Sequence, residues 1–508
     1  MESTLDSCIL NALGKAKTMG ATLNQVAIEL GVDPFFIEKA LEDLEKRKSV
    51  SRVGRKLWIL KEYENMNKDP LFIGPETYTQ EFQRRFGVTL SVYSKPITFS
   101  ENGTKRVHRW SPYVQGFSAE FVEDTLSRYK LSKGAKALDP FCGSGTVLVS
   151  AKMRGIDSIG VDLMPFMRFT ASVKTDWDLD TERIRRFLDK FDSVKNAEIV
   201  IPKPFLRMTN KQFDPPVLNN LLRLKQFVWG VHAEDPRIGN LFKLALASIL
   251  VPCSNLKRSP CLGYVRNKRV PSDAPYDLFL KKIHDMTNDL NWVHANVVSS
   301  GKAEVRGEDA RASMYVENDL DIAITSPPYV NGMDYIMNYK IELVWLEFIK
   351  EYEELLELKE KMVVCDNVAR ITSYSPVYSD EMLDDICSRI ETRIREKGSY
   401  RRGDMHFVVR KYFDDLYPVL ANVYKGLRDG ARFLIVVGDS LMAGIYIPAD
   451  LIIARMGKSM GYEIEDILVA RERRSGQRHD FKLRESIVVL RKGKAEKKIV
   501  SKTLKEFL

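Results

Sequence analysis

Cysteine is scarce and scattered. The chain of 508 residues has six, Cys8, Cys142, Cys253, Cys261, Cys365 and Cys387, and no Cys-x-x-Cys pair. That spacing excludes a disulfide framework and a zinc knuckle. Histidine is as rare, with six residues and no His-Glu-x-x-His, so no metal is expected. No apolar run approaches the roughly 18 residues that cross a bilayer. The first residues, MESTLDSCIL, lack the basic start and small-residue cleavage site of a secretory signal, and a cytoplasmic protein is expected. Internal repeats and low-complexity tracts are missing too. So is Gly-x-x-x-x-Gly-Lys-Ser/Thr, which rules out a P-loop.

What is present is ordinary globular composition, 44% hydrophobic and 29% charged, at a length that calls for two or three domains. The net charge of +9 favours a polyanionic partner mildly, since solubility alone accounts for a surplus of that size.

Residues 1–62 read as a separate unit. Leu5, Cys8, Ile9, Ala12 and Leu13 share one helical face, TLNQVAIELG runs from a threonine cap to Gly31, and Asp33-Pro34 is a strong helix start. The short strands SVSRV and KLWIL follow. Three helices and a hairpin describe a winged helix. The third helix mixes Lys39, Lys46, Arg47 and Lys48 with four acids, which leaves nucleic-acid reading, protein docking and a structural role all open. Residues 63–107 are polar and irregular and are expected to be a linker.

An α/β alternation begins near residue 108. AKALDP is a strand, GTVLVSAKMRG a helix ending at Gly155, and SIGVDLM a second strand. Helical segments fill 166–300. Strand character returns at AEVRGEDA and LDIAITSPPY, a charged helical insertion covers 338–400, and ARFLIVVGDS, EIEDILVARERR and ESIVVLRK close the chain as strands.

Two motifs carry chemistry. DPFCGSGT, residues 139–146, ends a strand in an acid and turns through Gly143 and Gly145 into a helix. Such a turn lets a nucleotide-like cofactor approach bare backbone at the carboxyl end of a strand. It is also a plain tight turn. Asp162, at the end of the second strand, is placed to hold ribose hydroxyls, or else to cap the helix that begins near Pro165. The second motif, TSPPY at 325–329, closes a buried strand. Pro327 and Pro328 remove two N–H donors and fix a row of carbonyls beside the Ser326 hydroxyl and the Tyr329 ring. Carbonyls accept from an exocyclic amine, and a tyrosine ring stacks on a base.

Together, DPFCGSGT and TSPPY resemble the cofactor and catalytic motifs of the S-adenosylmethionine-dependent amino methyltransferases of DNA. The Ser-Pro-Pro-Tyr form is typical of the cytosine-N4 branch, whereas adenine-N6 enzymes more often carry Asp or Asn at the serine position. The resemblance covers roughly 108–165 and 300–492. It implies an α/β fold with a Rossmann-like methyltransferase sheet, interrupted by helical insertions and preceded by the winged-helix domain. The methyltransferase domain would then be split into 108–165 and 301–508, with 166–300 a candidate target-recognition insertion.

The same resemblance implies that Asp139, Phe141, Gly143, Gly145, Asp162, Asp309 and Thr325 shape the S-adenosylmethionine site, with Phe117 and Ser118 flanking it and His108 and Trp110 in the segment before. Ser326, Pro327, Pro328 and Tyr329 would form the target-base site. The cofactor motif precedes the catalytic one here, whereas many cytosine-N4 enzymes show the reverse order. Cys142 is not expected to act as a nucleophile, because carbon-5 methylation uses a Pro-Cys context that is absent.

Two basic stretches are candidate contacts to the nucleic acid: Lys257, Arg258, Arg266, Lys268 and Arg269 in the first, Arg473, Arg474 and Arg478 in the second. The expected function is methylation of cytosine N4 in double-stranded DNA, in a restriction-modification or phage-defence setting. RNA cytidine-N4 methylation and adenine-N6 methylation of DNA are the enzymatic alternatives, and a winged-helix regulator with a vestigial enzyme domain is the non-enzymatic one.

Overall fold

The computed structural model describes residues 4–16, 21–53, 57–60, 69–113, 116–206, 209–258, 261–312, 318–332, 334–364, 371, 374–397, 402–474 and 482–493. Near the N-terminus the local signals act as their chemistry requires. Thr22 and Gln25 form a reciprocal capping box at the start of helix Leu23–Leu30, which stops at Gly31 in a left-handed conformation. Asp33 accepts from the Phe35 N–H and Pro34 opens helix Pro34–Lys46. These helices, with Thr4–Ala16 and a three-stranded antiparallel sheet, enclose Ile9, Leu13, Val26, Ile37, Leu41 and Trp58.

Eight strands build the large sheet: β1 Leu90–Val92, β2 Lys136–Asp139, β3 Asp157–Val161, β4 Ala303–Arg306, β5 Leu320–Thr325, β6 Leu427–Gly438, β7 Tyr462–Arg474 and β8 Lys482–Lys492. Their spatial order is β1-β7-β8-β6-β5-β2-β3-β4. Only β8 runs antiparallel to its neighbours, pairing with β6 on one side and β7 on the other. The central strands are continuous apolar runs because both faces are covered. Ile322 and Ile324 pack with Val147 and Leu148, while Ala323, between them, packs on the opposite face with Tyr412 and Val419.

Chain order reverses between the adjacent parallel strands β2 and β5. From β2 the chain winds outward through β3 and β4, and from β5 it winds the other way into β6. Ligands of open α/β sheets bind outside the carboxyl ends of strands at such a reversal. Asp139 and Thr325 are those ends.

The insertion forms its own core. Leu221, Phe242 and Phe279, from helices Pro215–Glu234, Pro236–Leu250 and Ala274–Asn296, pack with Trp345 of helix Tyr335–Trp345. That last helix follows the Ser-Pro-Pro-Tyr segment, so the insertion is anchored beside it.

One stretch is more ordered than its composition suggests. Within 63–107, expected to be an irregular linker, Pro75–Phe86 is a helix and β1 extends the sheet alongside β7. Tyr78 and Phe82, four residues apart, supply the buried face, and the polar residues around them mask the pattern. Among the described residues no helix is long and apolar enough to cross a membrane.

Candidate active site

Asp139 lies almost fully buried at the end of β2. It accepts from the Thr325 hydroxyl at 2.7 Å and from the Phe141 N–H at 3.1 Å. Burial pushes its carboxyl up to about 7 against the pull of those two donors. Asp162, one strand over, accepts from Gly143 N–H at 3.0 Å and Met164 N–H at 2.8 Å. Burial raises it to about 6, again opposed by its backbone donors. The acid ending β3 thus ties down the turn that follows β2.

The two glycines of that turn do different things. Gly143 has φ +48°, and a Cβ there would stand 2.8 Å from the Cζ and Oη of Tyr113. Gly145 has φ +82°, and its Cβ would meet Ala171 Cβ at 3.0 Å. Gly143 therefore keeps backbone bare beside an aromatic ring, while Gly145 lets helix Thr146–Met153 approach helix Pro165–Thr175.

Two cavities open at the reversal point. The narrower is lined by Phe141, Asp162, Asp309, Ser326 and Pro328, with Tyr113 and Tyr335. Asp309 is held by Arg311, whose guanidinium bonds both carboxylate oxygens. Burial pulls Asp309 upward, but the Arg311 bonds outweigh it and leave the group below the usual carboxylate range. The larger is a cleft of about 1260 Å³, with Phe117, Ser326, Tyr329, Asn331 and Glu485 on its walls. Ser326 and Tyr113 line both cavities. The two sequence motifs, 180 residues apart, meet at one place.

The flanking candidates divide. Phe117 faces the cleft, and so does the buried His108, whose pKa burial drives down to about 3. Ser118 is an N-cap: it accepts from Phe121 N–H and donates to the Pro96 carbonyl. Trp110 is buried and donates its indole N–H to Asp289, which also receives Val107 N–H and Arg109. Asp289, from helix Ala274–Asn296, thereby pins the 107–110 segment. Burial also pushes the Cys142 thiol far up, with Asp162 and Asp139 adding to the effect, so it stays protonated.

The first basic stretch is not a uniform phosphate surface. Arg258 makes a buried ion pair with Glu342 at 2.5 Å, and its guanidinium lies 4.4 Å from the Tyr339 ring centroid. Lys268 donates to the carbonyls of Val251 and Leu256. Lys257, Arg266 and Arg269 are exposed. In the second stretch Arg473 lines the cleft and donates to the Asp439 carbonyl, Arg474 is exposed, and Arg478 lies outside the described residues. Sequence reasoning missed Arg109, Lys281 and Lys282, which line the same cleft together with Asp285. Lys281 and Lys282 sit in a helix that also carries Asp277, Asp285 and Asp289, so no basic run marks them. Glu485, between Arg484 and Ser486 ahead of the apolar run of β8, was missed as well.

No family model matches the chain. Among curated relatives, Type II methyltransferase M.BsoBI of Geobacillus stearothermophilus is 24% identical over 451 residues, covering 78% of this chain and 88% of that protein. Type II methyltransferase M.AvaI of Nostoc sp. is 24% identical over 430 residues, covering 77% and 86%. A shorter match, 40% identical over 85 residues, reaches Type II methyltransferase M.MjaII of Methanocaldococcus jannaschii and covers 17% of this chain and 16% of that one.

Proposed function

Given that the chain belongs to the S-adenosylmethionine-dependent DNA methyltransferase family, we propose that it methylates the exocyclic N4 amine of a cytosine turned out of duplex DNA. The single observation that carries this reading is the meeting of the two cavities at Ser326. One has the features a nucleoside cofactor needs, and the other holds the Tyr329 ring and is wide enough for a base.

The donor set suits S-adenosylmethionine. Asp162 offers a carboxylate for ribose hydroxyls, Asp309 one for an amino group, and Phe141 an apolar wall. When bound, that cofactor supplies a methyl group on a sulfonium, an electrophile that needs no further activation. The protein's task is then positioning and electrostatics. Pro327 and Pro328 offer carbonyls and no N–H groups, so they accept the hydrogens of an amine and do not compete for its lone pair. Ser326 stands at the boundary of the two cavities, where the amine and the methyl group would meet. Tyr329 supplies a flat surface for the extruded base, whose unstacking costs a few kcal/mol. The serine at position 326, the residue typical of the cytosine-N4 branch, supports cytosine as the base.

We read residues 1–62 as a winged-helix domain and 166–300 as the target-recognition insertion, in a cytoplasmic enzyme. Lys281, Lys282 and Arg473, which all line the cleft, support a duplex lying across it. Transfer of a tritiated methyl group to unmethylated duplex DNA, compared with ribosomal RNA, tests the substrate. Label in DNA alone supports the proposal, and label in RNA alone refutes it.

A further inference from the structure

We propose that Glu485 is a positioning residue of the transfer site, fixing the ring of Tyr329 through its hydroxyl and being held in turn by Arg471. This rests on the functional reading above. The Tyr329 hydroxyl donates to Glu485 Oε1 at 2.6 Å, and Arg471 Nε donates to the other carboxylate oxygen. The arrangement follows from sheet register. Glu485 of β8 stands directly opposite Arg471 of β7 on one side and Gly438 of β6 on the other.

Gly438 is where the tyrosine ring packs. A Cβ at that position would stand 2.8 Å from Tyr329 Cε2 and 3.1 Å from Cδ2. The ring therefore rests against bare backbone, and its hydroxyl is anchored one strand over. Glu485 is only 7% exposed, and a carboxylate this buried is tolerated when charge-assisted bonds satisfy it. Arg471 and the phenol supply them. All three side chains also line the cleft that holds Ser326.

A phenylalanine would fill the same space, but only a hydroxyl with a fixed acceptor sets the ring's orientation before the base arrives. Orientation supplied in advance lowers the barrier to transfer without adding affinity for the cofactor. A contact serving only to join β7 to β8 would not act through Tyr329.

The full-length enzyme carrying Tyr329→Phe, Glu485→Ala and both changes forms a double-mutant cycle. Each single change should lower kcat on unmethylated DNA by about tenfold, and the double mutant should fall no further than the worse single. Affinity for S-adenosylhomocysteine should stay within about twofold of wild type. Glu485→Gln, which keeps an acceptor for the phenol, should retain more activity than Glu485→Ala, and Glu485→Met, which has no such acceptor, completes the cycle if the alanine variant does not fold. Losses that multiply in the double mutant overturn the inference. So does a loss of S-adenosylhomocysteine affinity as large as the loss of turnover. A wild-type enzyme that methylates no nucleic acid removes the functional reading itself, and the inference with it.

Discussion

The hydroxyl of Thr325 donates to the carboxylate of Asp139 at 2.7 Å, joining the end of β5 to the end of β2. Asp139 precedes the glycine turn and Thr325 precedes the Ser-Pro-Pro-Tyr segment, so one buried bond sets the distance between the two halves of the site. It is also one of the two donors that hold the buried carboxyl down near 7. Replacing Thr325 with Val keeps the shape and removes the donor. The midpoint of the pH dependence of cofactor binding should move up by roughly 0.5 to 1 pH unit, the equivalent of about 1 kcal/mol. Calorimetric titration with S-adenosylhomocysteine across pH reads it.

The two acids also give the ligand-free protein a signed pH response. Burial raises Asp139 to about 7 and Asp162 to about 6, both above the ordinary carboxylate value near 4. Between about pH 4 and 7 the folded protein holds protons that the unfolded chain releases, so their contribution to stability falls as pH rises. A ligand that donates hydrogen bonds to, or pairs with, the ionised carboxylates should do the opposite: bind more tightly as pH rises through this window, and release protons on binding. Thermal melts and calorimetry in buffers of different ionisation enthalpy check both signs, and Asp139→Asn and Asp162→Asn should flatten them.

The roles of Asp162 and Ser326 separate by what each loses. Asp162→Ala should weaken cofactor affinity with a smaller effect on turnover at saturation, while Ser326→Ala should lower turnover with cofactor affinity nearly unchanged. Equilibrium binding and steady-state kinetics on the same preparations distinguish the two.

Gly143→Ala meets two obstacles, a left-handed backbone costing about 1–2 kcal/mol and the Tyr113 ring at 2.8 Å. It should lower the melting temperature and abolish the thermal shift produced by S-adenosylhomocysteine. Adding Tyr113→Ala should restore part of the melting temperature, because it relieves the clash and leaves only the backbone strain.

Basic residues should sort by whether their charge is already used. Lys281→Glu should weaken DNA binding and reduce the slope of log affinity against log salt by about one to two. Arg258→Ala should leave that slope unchanged and instead destabilise the fold by about 3–5 kcal/mol, since it strands the Glu342 carboxylate in a buried position. Fluorescence anisotropy at several salt concentrations and chemical denaturation read the two effects.

What was legible in the sequence was local. The strand–glycine–helix turn at 139–146, the acid at 162 and the Ser-Pro-Pro-Tyr strand end are each contained within a few residues, and their local conformations depend on short-range geometry. What was not legible depended on pairing across long separations. Arg258 looked like a phosphate ligand because its partner, Glu342, lies 84 residues away on helix Tyr335–Trp345. Glu485 was overlooked because its value depends on the register that sets it opposite Arg471 and Gly438. The basic wall at Lys281 and Lys282 was masked by acids on the same helix, and only packing decides which of these face the cleft.

The central claim is that the site transfers a methyl group to cytosine N4 in DNA, and nucleoside mass spectrometry of DNA and RNA from cells expressing the protein tests it most directly. The account predicts N4-methylcytosine in the DNA, lost when Ser326 is replaced by Ala. N6-methyladenine in the DNA without N4-methylcytosine, or a modified nucleoside confined to RNA, would contradict it.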